Sequence, residues 1–152
     1  MSLLSKTTEY ALRAIVYVAM QDALGLKVGI KEIARELELP VHFIGKILQD
    51  LVRKGLIASV KGPGGGFFLH RPASDISILE VINTIDGMEA FRKCGMGMKQ
   101  CSDLHPCPLH HEIKAYRVQL LKVFESKTIQ TLVDGINTGK YFITNLHEET
   151  QL

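Results

Sequence analysis

Three cysteines and a histidine crowd into one stretch of this chain. Cys94, Cys101 and Cys107 are its only cysteines, with six and then five residues between them, and His110 follows three positions after the last. Thiolates are soft, strong donors for zinc and for iron–sulfur clusters. The intervening Gly95-Met-Gly-Met-Lys-Gln100 leaves the backbone free to fold round a compact inorganic core. An odd number of thiols cannot all enter a closed disulfide framework. Incidental cysteines sit among apolar core residues, whereas these lie among Gly, Lys, Gln, Ser, Asp and Pro. The expected chemistry is a soft-metal or iron–sulfur site whose remaining coordination position falls to another residue.

The elements that must position this loop are short and well punctuated. Leu12, Ile15, Val16 and Ala19 set a helical repeat over 8–20, with Thr8 able to cap it. A short helix is expected over 31–37 and a third over 41–54. Pro40 suits the first turn of that third helix, and Gly55 suits its end. Leu56–Val60 switches to a strand pattern, Lys61-Gly-Pro-Gly-Gly-Gly66 must turn, and Phe67–Leu69 returns as a second strand. Two helices, a third, and a hairpin with a glycine-rich tip follow the order of a winged helix-turn-helix. Ser77 and Glu80 have capping-box spacing for a helix to about Ile85. Leu109, Ile113, Tyr116, Leu120 and Phe124 then form one stripe along a long helix, and a last short helix is expected over 128–133. The fold class expected is mainly α with a small β-hairpin wing, plus a long C-terminal dimerisation helix. Its parts are a DNA-binding region at 1–75, a connecting helix at 76–93, the cysteine loop at 94–110, a dimerisation region at 109–137 and a tail at 138–152.

The third helix carries His42, Lys46 and Gln49 away from its apolar stripe. Lysine suits guanine acceptors or phosphate, and glutamine suits adenine. A solvated helix face is the plain alternative, and the glycine-rich tip weighs against it. Lys61, Gly62, Gly64 and Gly65 offer backbone donors and charge without bulk, fit for a phosphate backbone or the minor groove, and Arg71 lies just beyond. The tip lacks the Gly-Lys-Ser/Thr ending of a P-loop and joins two strands rather than a strand and a helix, so DNA contact is preferred to a nucleotide cradle. A net charge of +2 announces no partner by itself. A hydrophobic content of 46% supports a real core, and no apolar run is long enough to cross a bilayer. A cytoplasmic protein without a membrane partner is expected.

Ser5-Lys-Thr-Thr-Glu-Tyr-Ala-Leu-Arg-Ala14, the segment from Ile33 through Ile57, the wing Val60-Lys-Gly-Pro-Gly-Gly-Gly-Phe67 and the cysteine triplet together resemble the Rrf2 family of bacterial winged-helix repressors. Its members include an iron–sulfur cluster regulator and a nitric-oxide-sensitive repressor. The resemblance covers about 1–135. It implies a homodimer packed through the long C-terminal helices, with paired reading heads on a partly palindromic DNA operator. The 109–124 stripe agrees, being too long for a small domain to cover. Two heads would sit roughly 34 Å apart, one turn of DNA, or a multiple of it.

The resemblance also implies an iron–sulfur cluster on Cys94, Cys101 and Cys107, with two candidates for the fourth ligand. In one branch a histidine at the position of His110 completes a 2Fe–2S site. In another, an acidic residue at the place of Glu9 reaches across from the first helix of the partner protomer. A third branch adds a histidine where this chain has Arg13, which cannot ligate. The first cysteine spacing holds six residues where five is commoner in the family, so the cluster type is less defined than its presence; 2Fe–2S is favoured over 4Fe–4S. Three rivals use the same loop: a thiol-based redox regulator without a cluster, a zinc-stabilised DNA module, and an enzyme built on Cys107 and His110. The last lacks any orienting group or cleft.

Overall fold

The computed structural model describes residues 4–144, and six helices and one hairpin follow in chain order. α1 spans Lys6–Asp22, starting earlier than the apolar repeat alone indicates. Its cap is Ser5, whose hydroxyl accepts the Thr8 N–H at 3.1 Å, while Thr8 itself is buried. Ser5 is held in turn by Asp86, which accepts its N–H at 3.1 Å and its hydroxyl at 2.5 Å. Ala11, Ala14, Ile15 and Val18 are fully buried at helical spacing, which makes α1 the central element against which α2, α3, α4 and α6 pack.

α2 (Ile30–Leu37) and α3 (Val41–Arg53) form the helix-turn-helix. Pro40 stands at the N-cap, one place before the first turn, where its fixed φ of −62° and missing N–H cost nothing. The turn between the helices rests on Glu38, a side-chain-bearing residue in the left-handed region at φ 52°. That conformation costs about 1–2 kcal/mol for a residue with a Cβ. Glu38→Gly is therefore expected to raise unfolding free energy by about 0.5–1 kcal/mol, the relief of strain outweighing glycine's entropy cost. Urea melts of the two proteins measure the difference.

β1 (Ile57–Val60) and β2 (Gly66–Leu69) pair antiparallel with Ile57 opposite Leu69 and Val60 opposite Gly66. Val28 adds a third, one-residue rung: the Phe67 N–H donates to its carbonyl at 2.7 Å, and the Val28 N–H donates back to the Phe67 carbonyl at 3.1 Å. Gly66 permits that approach, because a Cβ there would lie 2.8 Å from the Val28 carbonyl oxygen.

α4 (Ile78–Asp86) is capped by Ser77, which accepts the Glu80 N–H at 3.0 Å. The Glu80 carboxylate pairs with Arg71, so only the serine half of the expected capping box is seen. α5 spans His110–Ser126, and α6 spans Ile129–Asn137 behind a Thr128/Thr131 capping box. Ile129 and Val133 of α6 join Ile76, Val81 and Phe91 in the same core as α1, so one core crosses the boundary expected at residue 75. α5 stands apart and packs chiefly against α4. Its stripe is rotated from the expected one: Phe124 turns inward, edge-on to Phe91 at 6.2 Å, while Leu109, Tyr116 and Val123 stay exposed. Of the expected tail at 138–152, residues 138–144 form no helix or strand, and 145–152 lie outside the described residues. Among the described residues no helix is long and apolar enough to cross a membrane.

Candidate functional site

α3 separates its residues by spacing alone. Ile44, Ile47, Leu48 and Leu51 are buried, and His42, Lys46 and Gln49, at i, i+4 and i+7, are exposed together on the opposite side. Two apolar residues missed by the sequence reading share that outer surface: Val41 and Phe43 are 52% and 56% exposed at the start of the helix. Their signal was present in the sequence, since neither position fits the buried stripe. Apolar groups at the N-terminal end of a reading helix suit contact with thymine methyls.

At the wing, Lys61, Gly62 and Gly64 are exposed, and Gly62 and Gly64 take φ of 91° and 74°. Gly65 behaves differently from the expectation of an open donor. Its N–H donates to the Gly62 carbonyl at 2.9 Å inside the turn, and a Cβ on it would lie 2.2 Å from the Val60 carbonyl oxygen. Lys27 adds a cation at the wing root, 5.4 Å over the Phe68 ring. Arg71, expected to add charge beside the hairpin, is engaged by Glu80.

The cysteine loop brings its donors together in two pairs. Cys94 and Cys107 are neighbours and both buried, and Cys94 Sγ accepts the Met96 N–H at 3.4 Å. The backbone N–H groups of Met96 and Met98, with the Cys107 thiol, hold Cys94 below the ordinary cysteine value against the upward push of burial. In the second pair, Cys101 Sγ lies 3.3 Å from Nδ1 of the buried His110. Nε2 of His110 is 2.7 Å from Asp103 Oδ1, and Lys114 reaches both Asp103 oxygens at 2.8 and 2.9 Å. Lys114 first and His110 next draw the Asp103 carboxyl down to about 2. An Nε2–H donated to Asp103 leaves the Nδ1 lone pair facing the sulfur, the orientation a metal-binding imidazole takes from a supporting carboxylate. Among the described residues no three His, Cys, Asp or Glu side chains close on a single metal point.

Glu9 stands elsewhere, in the first turn of α1, with Lys6 Nζ 3.1 Å from its carboxylate. Arg13 donates to the carbonyls of Leu37 at 2.8 Å and Ile143 at 2.7 Å, a structural clamp rather than a ligand. Asp103, Lys114 and Arg117 escaped the sequence reading, although His110, Lys114 and Arg117 follow i, i+4, i+7 on one side of α5.

Residues 4–135 match the Rrf2 family, described as "Iron-dependent Transcriptional regulator". The HTH-type transcriptional regulator IscR of Klebsiella pneumoniae (strain 342) is 35% identical over 132 residues, covering 87% of this chain and 80% of that protein. Two solved structures share the fold at 19% identity. IscR of T. potens superposes with a TM-score of 0.73, covering 91% of each chain. CymR, the global cysteine regulator of B. subtilis, superposes at 0.72, covering 88% of this chain and 98% of its own.

Proposed function

The chain belongs to the Rrf2 family of transcriptional regulators, and from that premise we propose a cytoplasmic, dimeric repressor whose operator affinity follows an iron–sulfur cluster held by Cys94, Cys101, Cys107 and His110. Membership makes it a DNA-binding regulator with a winged helix, and not an enzyme. The observation that carries the cluster reading is the grouping of donors in pairs, Cys94 with Cys107 and Cys101 with His110. A two-iron cluster takes two protein ligands at each iron, so the donor set fits 2Fe–2S. His110 is preferred to Glu9 as fourth ligand because it already faces a thiol and has a carboxylate behind it. When bound, the cluster supplies a redox-active inorganic core. The chain's own groups do the remaining work: Met96 N–H supports the Cys94 sulfur, Asp103 orients His110, and the loop holds the start of α5.

The dimer reading rests on α5. Leu109, Ile113, Tyr116, Leu120 and Val123 are spaced four, three, four and three residues apart, a coiled-coil seam for a second copy. His42, Lys46 and Gln49 of each protomer would meet the major groove, with Lys61, Gly62 and Gly64 near the backbone and Gly65 shaping the turn. Lys46→Ala is expected to weaken binding across DNA sequences alike. It should also lower the slope of log affinity against log salt by about one, if its partner is a phosphate. Titrations at several salt concentrations measure both.

A thiol-based redox regulator is the second reading, favoured by the neighbouring placement of two buried thiols, Cys94 and Cys107. Anaerobic reconstitution with iron and sulfide separates the two. The expected result is visible absorbance, about two irons per protomer, and different affinities of loaded and stripped protein for operator fragments selected from a random DNA library. Colourless, iron-free protein whose operator binding responds to a disulfide oxidant would establish the second reading and end the first.

A further inference from the structure

Among the described residues, no carboxylate forms an ion pair with the buried cation on α5. Arg117 is only 8% exposed. Its Nη1 donates to the Phe91 carbonyl at 2.8 Å and its Nη2 to Cys101 Sγ at 3.2 Å, while Nε has no partner among the described residues. The nearby acids are engaged by other groups: Asp103 by Lys114 and His110, Glu89 by Arg92 at 3.6 Å. Burying a guanidinium is costly unless an opposite charge offsets it. The group in reach that can supply that charge is the Cys101 sulfur, which is anionic as a metal-bound thiolate and neutral in a disulfide.

We infer that Arg117 is the positioning residue that couples the state of Cys101 to the hydrophobic core through the Phe91 carbonyl. The inference takes the source of the charge from the iron–sulfur reading above; the contact itself does not depend on it. With an anionic sulfur, the guanidinium is held between loop and core. The 3-10 turn at Glu89–Phe91 is then fixed against α5, where Phe91 also meets Phe124 edge-on at 6.2 Å. With the sulfur taken into a disulfide, Arg117 loses it as a partner, and the adjoining cavity of about 390 Å³, bordered by Arg92, Asp103 and Lys114, gives it a way out to water. The Phe91 bond is lost with it. A change at one sulfur thereby reaches both the core and the helix assigned to the dimer.

The test is a double-mutant cycle on the full chain, read by hydrogen exchange over residues 88–94. In metal-free protein, Cys101→Ala and Arg117→Gln should each speed exchange there, and the double variant should do no more than either alone. After reconstitution, wild type and Arg117→Gln should hold equal iron, with loading slowing exchange about tenfold in wild type and leaving the variant unchanged. Effects that multiply in the double variant, or equal slowing by iron in Arg117→Gln, would overturn the inference. If Arg117→Gln does not fold, Arg117→Lys keeps the buried charge but not the two-pronged grip: retained iron with reduced protection is expected, and wild-type protection overturns the coupling. A wild-type chain that takes up no iron sinks the cluster reading alone, and the metal-free cycle still decides for Arg117.

Discussion

Cys107→Ser should leave a folded protein that no longer holds iron. Cys107 is buried against Cys94 at the end of the loop, and serine matches its size, so the surrounding core is undisturbed. A hydroxyl stays protonated at neutral pH and is a hard, poor donor, whereas iron–sulfur clusters select thiolate. The loss should exceed the roughly 10–100-fold that follows removal of a supporting outer group, because a direct ligand goes. After anaerobic reconstitution, visible absorbance and iron content should fall to background while far-ultraviolet circular dichroism stays that of wild type. Operator affinity should become indifferent to iron and sulfide. Asp103→Asn, which leaves every sulfur in place, should give the milder phenotype.

Tyr116→Asp should separate the protomers without unfolding them. Tyr116 is 59% exposed within one protomer, so a carboxylate there meets water in the monomer and is forced into the seam only in the dimer. Sedimentation equilibrium should show a shift from dimer to monomer at micromolar concentration. Two linked reading heads gain about 10²–10⁴ in affinity over one, and operator binding should fall by that factor. A substitution at Glu112, outside the seam, supplies the control. Dimeric Tyr116→Asp would remove α5 as the interface.

The reading helix and the wing were legible because their signals are local. Pro40, Gly55 and the 61–66 turn each punctuate the chain where the backbone needs a fixed φ, a missing donor or a positive φ, and neighbouring residues settle these requirements. The α5 stripe was only half legible. Leu120 and Phe124 both fit the apolar repeat, yet Phe124 turns to Phe91, thirty-three positions earlier, and Tyr116 remains open. Periodicity shows that a helix has an apolar side; it does not say which edge of that side a neighbouring element will cover.

By themselves, the residue types and spacings determined a winged helix-turn-helix, a three-thiol loop and a long helix behind it. They follow from hydrophobic period, turn chemistry and the softness of sulfur, all of which act over a few residues. Tertiary structure alone decided that the loop's donors group two by two and that Asp103 stands behind His110. It also decided that Arg71 faces Glu80, and that Arg117 bridges Cys101 to Phe91. Each of these depends on where folding brings distant charges and how much water it leaves them. Burial sets what an unpaired charge costs, and burial is a property of the packed chain rather than of any segment.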